Sequence, residues 1–223
     1  MKIRSIIFDQ DETLIHPNTG LYEQYVLERA KDFAKAFNVN DINKAKQMAF
    51  EMKIEKCDDS TIKLYDLMKI PRSVWYDKME SIDVRPFLNK DLKLNRFLAK
   101  LKQMGLLTFL LTNSPTRQTN RILEAVGLPN SSFDNLFTWE KGKEPPKPSK
   151  KPFLFIFRKF GLKPGECIMV GNEIRVDLRV AHSLNIHTVG INLETKPDEN
   201  VDFTINKLDD LFTIIKLLEE KNI

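Results

Sequence analysis

The stretch from Ile3 to Leu14 constrains the fold of this chain more than any other. An apolar run closing on Ile6-Ile7-Phe8 breaks abruptly into Asp9 and Asp11, one residue apart, with Thr13 just beyond. Such a run before a polar break predicts a buried, parallel strand over residues 3–9. In open α/β sheets, ligands bind just outside the carboxyl ends of such strands. With Asp9 at the strand end, Asp9 and Asp11 are expected on one side of the extended chain, because side chains repeat every two residues. Two carboxylates aimed at one ligand can divide the labour, one as nucleophile and the other as acid and base. The bland alternative is a solvated Asp-rich turn that caps a strand.

After that strand the pattern changes. From about Tyr22 to Asp83 apolar residues recur at three- and four-residue spacing. This predicts helices over Tyr22–Phe37, Asn43–Lys56, Leu64–Met68 and Val74–Met79, and no strand. Arg85-Pro86 ends the section, and an amphipathic helix Leu92–Met104 runs to Gly105, a suitable C-cap. Strands then alternate with helices. Leu106–Leu111 stops at Thr112-Asn113-Ser114-Pro115 and is followed by a helix over Thr116–Val126. Strand Asn135–Trp139, the Lys/Pro-rich loop Lys141–Lys150 and helix Phe153–Phe160 come next. Strand Glu166–Val170 ends at Gly171-Asn172-Glu173, helix Val176–Leu184 leads to strand His187–Ile191, and Lys207–Lys221 is amphipathic. The alternation predicts an α/β fold. Its core is a Rossmann-like parallel sheet flanked by helices (residues 1–15 and 86–223), with an inserted all-helical cap (16–85).

Composition narrows the setting. A net charge of +4 is spread along 223 residues without a strongly basic block, which argues against nucleic acid as partner. No apolar stretch approaches the ~20 residues needed to cross a bilayer, and Met1-Lys2-Ile3-Arg4 is too short an apolar start for a secretory signal. Cys57 and Cys167 make neither metal spacing nor a disulfide framework. A cytoplasmic location is expected. His16, His182 and His187 form no pair at zinc-ligand spacing. Phe153, Phe155, Phe157 and Phe160 read as core packing before any nucleobase platform. Trp75 and Tyr76 fit either a surface facing a base or sugar, or the interior of the cap.

Collected at the strand ends, the polar residues form an ordered series: Asp9-Gln10-Asp11-Glu12-Thr13-Leu14, Leu110-Leu111-Thr112-Asn113-Ser114, Lys147-Pro148, and Gly171-Asn172-Glu173-Ile174-Arg175-Val176-Asp177. That order and chemistry resemble the haloacid dehalogenase-like hydrolases, most of which are Mg²⁺-dependent phosphatases. The resemblance covers essentially the whole chain, the insert being similar to that superfamily's helical cap. Within it, Leu14–Tyr22 looks like the start of the cap in the pyrimidine 5′-nucleotidase-like branch. The resemblance implies that Asp9 attacks phosphorus and that Asp11 protonates the leaving oxygen and then activates water. Thr112 would grip a phosphoryl oxygen and Lys147 would offset charge, with Lys150 as the fallback. Thr13, Asn113 and Ser114 would lie at the substrate. Asp9, Asp11 (through its carbonyl), Asn172 and Asp177 would hold Mg²⁺. The implied substrate is a small phosphorylated metabolite: nucleoside monophosphates first, with sugar phosphates and phosphoglycolate open. Closure of the insert would exclude water.

The chain departs from the family's pattern twice. Asn172 stands where an acidic residue usually follows the glycine, and an amide oxygen lacks the charge that Mg²⁺ prefers. Three readings follow: Asn172 ligates the metal in a working phosphatase, Glu173 substitutes for it, or a weakened site leaves a binding or regulatory protein. Glu12, in turn, replaces a residue that is often small or polar. A metal-independent dehalogenase is a further alternative, but that class lacks the second aspartate, present here as Asp11.

Overall fold

Strand β1 (Ser5–Phe8) is buried along its whole length and lies between β2 (Leu107–Pro115) and β4 (Cys167–Gly171). In this computed structural model, which describes residues 2–57, 60–140, 146–193 and 195–220, both pairings are parallel: Ile7 faces Phe109 on one side and Met169 on the other. The sheet has six strands, in the order β3-β2-β1-β4-β5-β6, with β3 (Asn135–Trp139), β5 (His187–Ile191) and β6 (Phe203–Ile205) completing it. The chain winds outward in one direction from β1 to β3 and in the other from β4 to β6. The crevice at the carboxyl end of β1 is therefore the topological switch point, where such sheets bind ligands. This is the α/β, Rossmann-like core that the alternating pattern predicts.

Core helices α5 (Leu92–Gln103), α6 (Thr116–Ala125), α7 (Lys151–Phe160), α8 (Arg179–His182) and α9 (Leu211–Glu220) cover the sheet. Asp91 caps α5 by accepting from the Lys93 and Leu94 N–H groups at 2.9 Å each, satisfying donors that have no partner inside the helix. Gly105 follows that helix at φ 75°, the left-handed geometry that glycine adopts without strain. One face of the sheet packs Ile7, Phe109, Leu111 and Met169 against Phe153, Ile156, Leu178 and Ala181. Phe157 and Phe160 join this core, whereas Phe155 stays 46% exposed.

Three elements differ from the sequence expectation. β2 does not stop at Leu111 but runs to Pro115 with a register shift, because Thr112 and Ser114 keep their polar groups satisfied while buried. The helix expected over 176–184 begins as a wide π-turn, Ile174–Leu178, before α8. Such turns recur at functional sites. β6, only three residues long, carries too short a periodic signal to be read beforehand. Residues 141–145 and 221, within the expected Lys/Pro loop and last helix, lie outside the described residues.

Residues 18–88 form a second compact unit, the core comprising 1–17 and 89–223. It is helical: α1 (Leu21–Phe37), α2 (Ile42–Lys56), α3 (Thr61–Leu67) and α4 (Arg72–Ser81). Its interior is aromatic, with Tyr65 and Tyr25 against Trp75 at centroid distances of 5.5 and 6.2 Å. Trp75 and Tyr76 are 7% and 2% exposed, so both belong to that interior rather than to a base-binding surface. Tyr65 donates to Asp32 Oδ2 at 2.7 Å, and Lys78 pairs with Asp32 Oδ1 at 2.8 Å. Among the described residues, no helix is long and apolar enough to cross a membrane.

Truncating Phe153, fully buried in the core cluster, removes a ring that nothing replaces. Phe153→Ala is expected to lower stability by about 3–5 kcal/mol, visible as a lower urea midpoint at unchanged m-value.

Candidate active site

The site begins where β1 ends. The Asp9 N–H donates to the Val170 carbonyl at 2.9 Å, which ties the first residue after the strand to neighbouring β4. The chain then folds tightly around the Gln10 carbonyl, which accepts from the N–H groups of Leu14 and Ile15 at 3.0 Å each. Glu12 occupies the left-handed region at φ 56°, and its carbonyl accepts from Asn192 Nδ2 at 2.7 Å. The chain is therefore not extended through Asp11, and the two aspartates do not simply share one face. The Asp11 carboxylate is held by Ser114 Oγ at 2.7 Å and by Gln10 Nε2 at 3.1 Å.

Lys147 Nζ lies between two buried carboxylates, 2.5 Å from Asp9 Oδ1 and 2.6 Å from Asp177 Oδ1. Lys147 is 4% exposed and in contact with Asp9, whereas Lys150 is exposed. Asn113 clamps the lysine's backbone, accepting from the Lys147 N–H at 2.8 Å and donating to its carbonyl at 3.0 Å. Asp177 accepts from the Glu173 N–H at 3.0 Å through its other oxygen. It can approach this closely only because residue 171 is glycine: a Cβ there would sit 2.6 Å from the Asp177 carboxylate.

The charges respond to this burial. Asp9 is pushed up to about 6 by desolvation, against the pull of the Lys147 ammonium. Asp177 is pushed up to about 7 for the same reason, again opposed by Lys147. Burial also raises Asp11, with the Ser114 and Gln10 hydrogen bonds pulling the other way. For Lys147, burial favours the neutral amine, but Asp177 and Asp9 outweigh it and hold the group above the ordinary lysine range.

On the far side of Asp9, one end of the Asn172 amide lies 3.2 Å from both Asp9 Oδ2 and the Asp11 carbonyl oxygen. Thr13 Oγ1 reaches Asp9 Oδ2 at 3.5 Å and Asn172 at 3.4 Å. With the amide oxygen inward, three uncharged or anionic oxygens converge, a hard donor set that suits Mg²⁺. Among the described residues no group of three or more His, Cys, Asp or Glu side chains could hold a metal ion.

The structure thus brings together Asp9, Thr13, Lys147, Asn172, Asp177 and the Asp11 carbonyl. Three of the side chains expected at metal or substrate make hydrogen bonds within the protein. Asp177, expected as a metal ligand, directs its oxygens at Lys147 and the Glu173 N–H. Asn113 and Ser114, expected at substrate, hold Lys147 and Asp11 respectively, since a buried strand end must satisfy its polar groups locally. Thr112 Oγ1 accepts from the Ser114 N–H at 3.1 Å and keeps its hydroxyl proton for another acceptor. Gly171, Gln10 and Asn192 went unassigned beforehand. Their positions at strand ends were the available signal, but their roles depend on partners remote in sequence.

The sequence profile of the family described as haloacid dehalogenase-like hydrolase matches residues 3–185. A glyceraldehyde 3-phosphate phosphatase of Methanocaldococcus jannaschii is 28% identical over 98% of this chain and 99% of its own length. A phosphoglycolate phosphatase of Pasteurella multocida is 32% identical over 45% of this chain and 48% of its own. Among solved structures, a phosphatase of this class from Thermococcus onnurineus superposes with a TM-score of 0.63, at 20% identity, over 96% of this chain and 98% of its own.

Lys147→Met would strand two carboxylates in a buried site, a loss of about 3–5 kcal/mol at neutral pH. In that variant both carboxyls stay protonated to higher pH than in the unfolded chain, so its stability rises as pH falls from 8 toward 4. Denaturant melts across that range should show the gap from the native protein narrowing.

Proposed function

This chain belongs to the haloacid dehalogenase-like hydrolases, and from that premise we propose that it is a phosphatase acting on small soluble phosphomonoesters. The observation that carries this is the double engagement of Asp9: Oδ1 faces the Lys147 ammonium while Oδ2 faces the Asn172 amide, whose same end also lies 3.2 Å from the Asp11 carbonyl oxygen. One oxygen is thereby oriented and charge-balanced, and the other lies beside a cation-binding oxygen cluster.

In this reading Asp9 attacks phosphorus, forming an O–P bond as the ester P–O bond breaks. Asp11 gives its proton to the departing oxygen, a role suited to a carboxyl raised by burial. Water then attacks the aspartyl-phosphate, Asp11 takes back a proton, and Asp9 is regenerated with release of phosphate. Lys147 and the Thr112 hydroxyl hold phosphoryl oxygens, with the backbone N–H groups at the start of α6 favouring the anion. Asp9, the Asp11 carbonyl and Asn172 would hold Mg²⁺, which supplies charge neutralisation for the phosphoryl group.

The substrate ranking shifts from the sequence expectation. The relatives described above are named for glyceraldehyde 3-phosphate and phosphoglycolate, whereas the likeness to the pyrimidine 5′-nucleotidase branch rests on Leu14–Tyr22 alone. Short phosphorylated acids and aldehydes therefore come before nucleoside monophosphates. Asn172 also supports a second reading, a binding protein with a weakened metal site.

Hydrolysis of para-nitrophenyl phosphate tests the proposal. Turnover should require Mg²⁺ and vanish in Asp9→Asn; halide release from a 2-haloacid, offered separately without metal, would instead indicate a dehalogenase, and a folded protein silent on both substrates a binder. Because Asp9 must be ionised to attack and burial raises it above the ordinary carboxylate range, kcat/KM should fall on the acid side of the profile, with the limb moving to lower pH as Mg²⁺ is raised. A panel of glyceraldehyde 3-phosphate, phosphoglycolate, sugar phosphates and nucleoside monophosphates, ranked by kcat/KM, then fixes the substrate class.

A further inference from the structure

We infer that Glu12 is a positioning residue that turns the oxygen of the Asn172 amide toward Asp9 and the Asp11 carbonyl. The inference deepens the metal site of the preceding reading and rests on it.

The two ends of an amide have nearly the same shape, so hydrogen-bond partners decide which end points where. At Asn172 two orientations compete. With nitrogen inward, the amide donates to Asp9 Oδ2 and to the Asp11 carbonyl, at 3.2 Å each. That arrangement is the one the site's hydrogen bonds favour with no cation bound, and it places N–H groups where a cation would lie. With oxygen inward, three oxygens converge, Thr13 Oγ1 donates to the amide oxygen at 3.4 Å, and Asn172 Nδ2 donates to Glu12 Oε2 at 3.3 Å. Glu12 distinguishes the two. Its carboxylate accepts a charge-assisted hydrogen bond in the oxygen-inward orientation and would face the amide oxygen, acceptor against acceptor, in the other.

The backbone supports a dedicated role. Glu12 sits at φ 56°, a conformation that a long side chain adopts at a cost and glycine does not. The Asn192 amide holds its carbonyl there at 2.7 Å. The two departures from the family's pattern are thus in contact: the carboxylate lacking at 172 has its counterpart at 12, one layer further out. A carboxylate at 172 presents oxygen whichever way it turns and needs no such partner; an amide does. Ordering a ligand from outside the coordination shell is a general device of metal sites.

A double-mutant cycle tests the inference, using Glu12→Gly, Asn172→Asp and the pair together. Glycine suits the left-handed backbone, so Glu12→Gly should melt no lower than the native protein. Mn²⁺ binding, followed by electron paramagnetic resonance with Mg²⁺ as competitor, gives affinities independent of turnover. The expected result is about tenfold weaker binding for Glu12→Gly in the native background. In the Asn172→Asp background, Glu12→Gly should leave affinity unchanged or raise it, because an orienting partner has become a repelling charge. Equal loss in both backgrounds would mean that Glu12 acts on the cation directly and would overturn the inference, as would no loss in either. A native chain that binds neither ion at Asp9, shown by no change on Asp9→Asn, would overturn the metal reading itself and this inference with it.

Discussion

The ammonium of Lys147 between the carboxylates of Asp9 and Asp177 is the interaction on which the site depends. All three groups are buried, and each taken alone would be driven toward its neutral form. Together they remain poised: desolvation lifts both carboxyls while the lysine restrains them and is itself held protonated. A buried charge cluster contributes little to net stability, but losing one member is expensive. The constraint is therefore mainly on geometry. Asp9 cannot turn away without abandoning Lys147, and its second oxygen is left facing the Asn172 amide.

Around that centre stands a layer of amides and hydroxyls. Asn113 fixes the backbone of Lys147, Ser114 and Gln10 hold Asp11, and Asn192 holds the carbonyl of Glu12. Most of these side chains sit at the carboxyl ends of strands, where the sheet leaves backbone groups without ladder partners. The same geometry that opens the crevice thus supplies the groups that stiffen it. Gly171 works by omission, leaving the space that Asp177 fills.

Within the haloacid dehalogenase-like hydrolases, this chain combines an intact pair of aspartates with an amide where a carboxylate is expected. An acidic residue in place of Asn172 would add one negative charge beside Asp9; here the nearby carboxylate is that of Glu12, which accepts from the amide. In the proposed metal reading, such an arrangement would bind a hard cation more weakly and make ligand orientation matter more.

The α/β class, the buried central strand and its carboxylate terminus were legible in the sequence, because hydrophobic periodicity and polar breaks are local signals that survive without knowledge of partners. Asp9 and Thr112 stood out as candidates by the same local signals, whereas Lys147 was singled out only by the family resemblance of its Lys-Pro pair. The partnerships were not. Lys147 lies 138 residues from Asp9, and only the strand order β2-β1-β4 brings them together. The backbone turn at Glu12 overrode the two-residue alternation that placed Asp9 and Asp11 on one face. Hydrogen-bond demand at a buried strand end gives Asn113 and Ser114, expected at the substrate, the backbone of Lys147 and the Asp11 carboxylate as partners. The sequence by itself determined which chemical groups reach the end of the sheet; the tertiary structure decided which of them meet, since pairing between remote residues follows from sheet order and loop geometry, which no local pattern encodes.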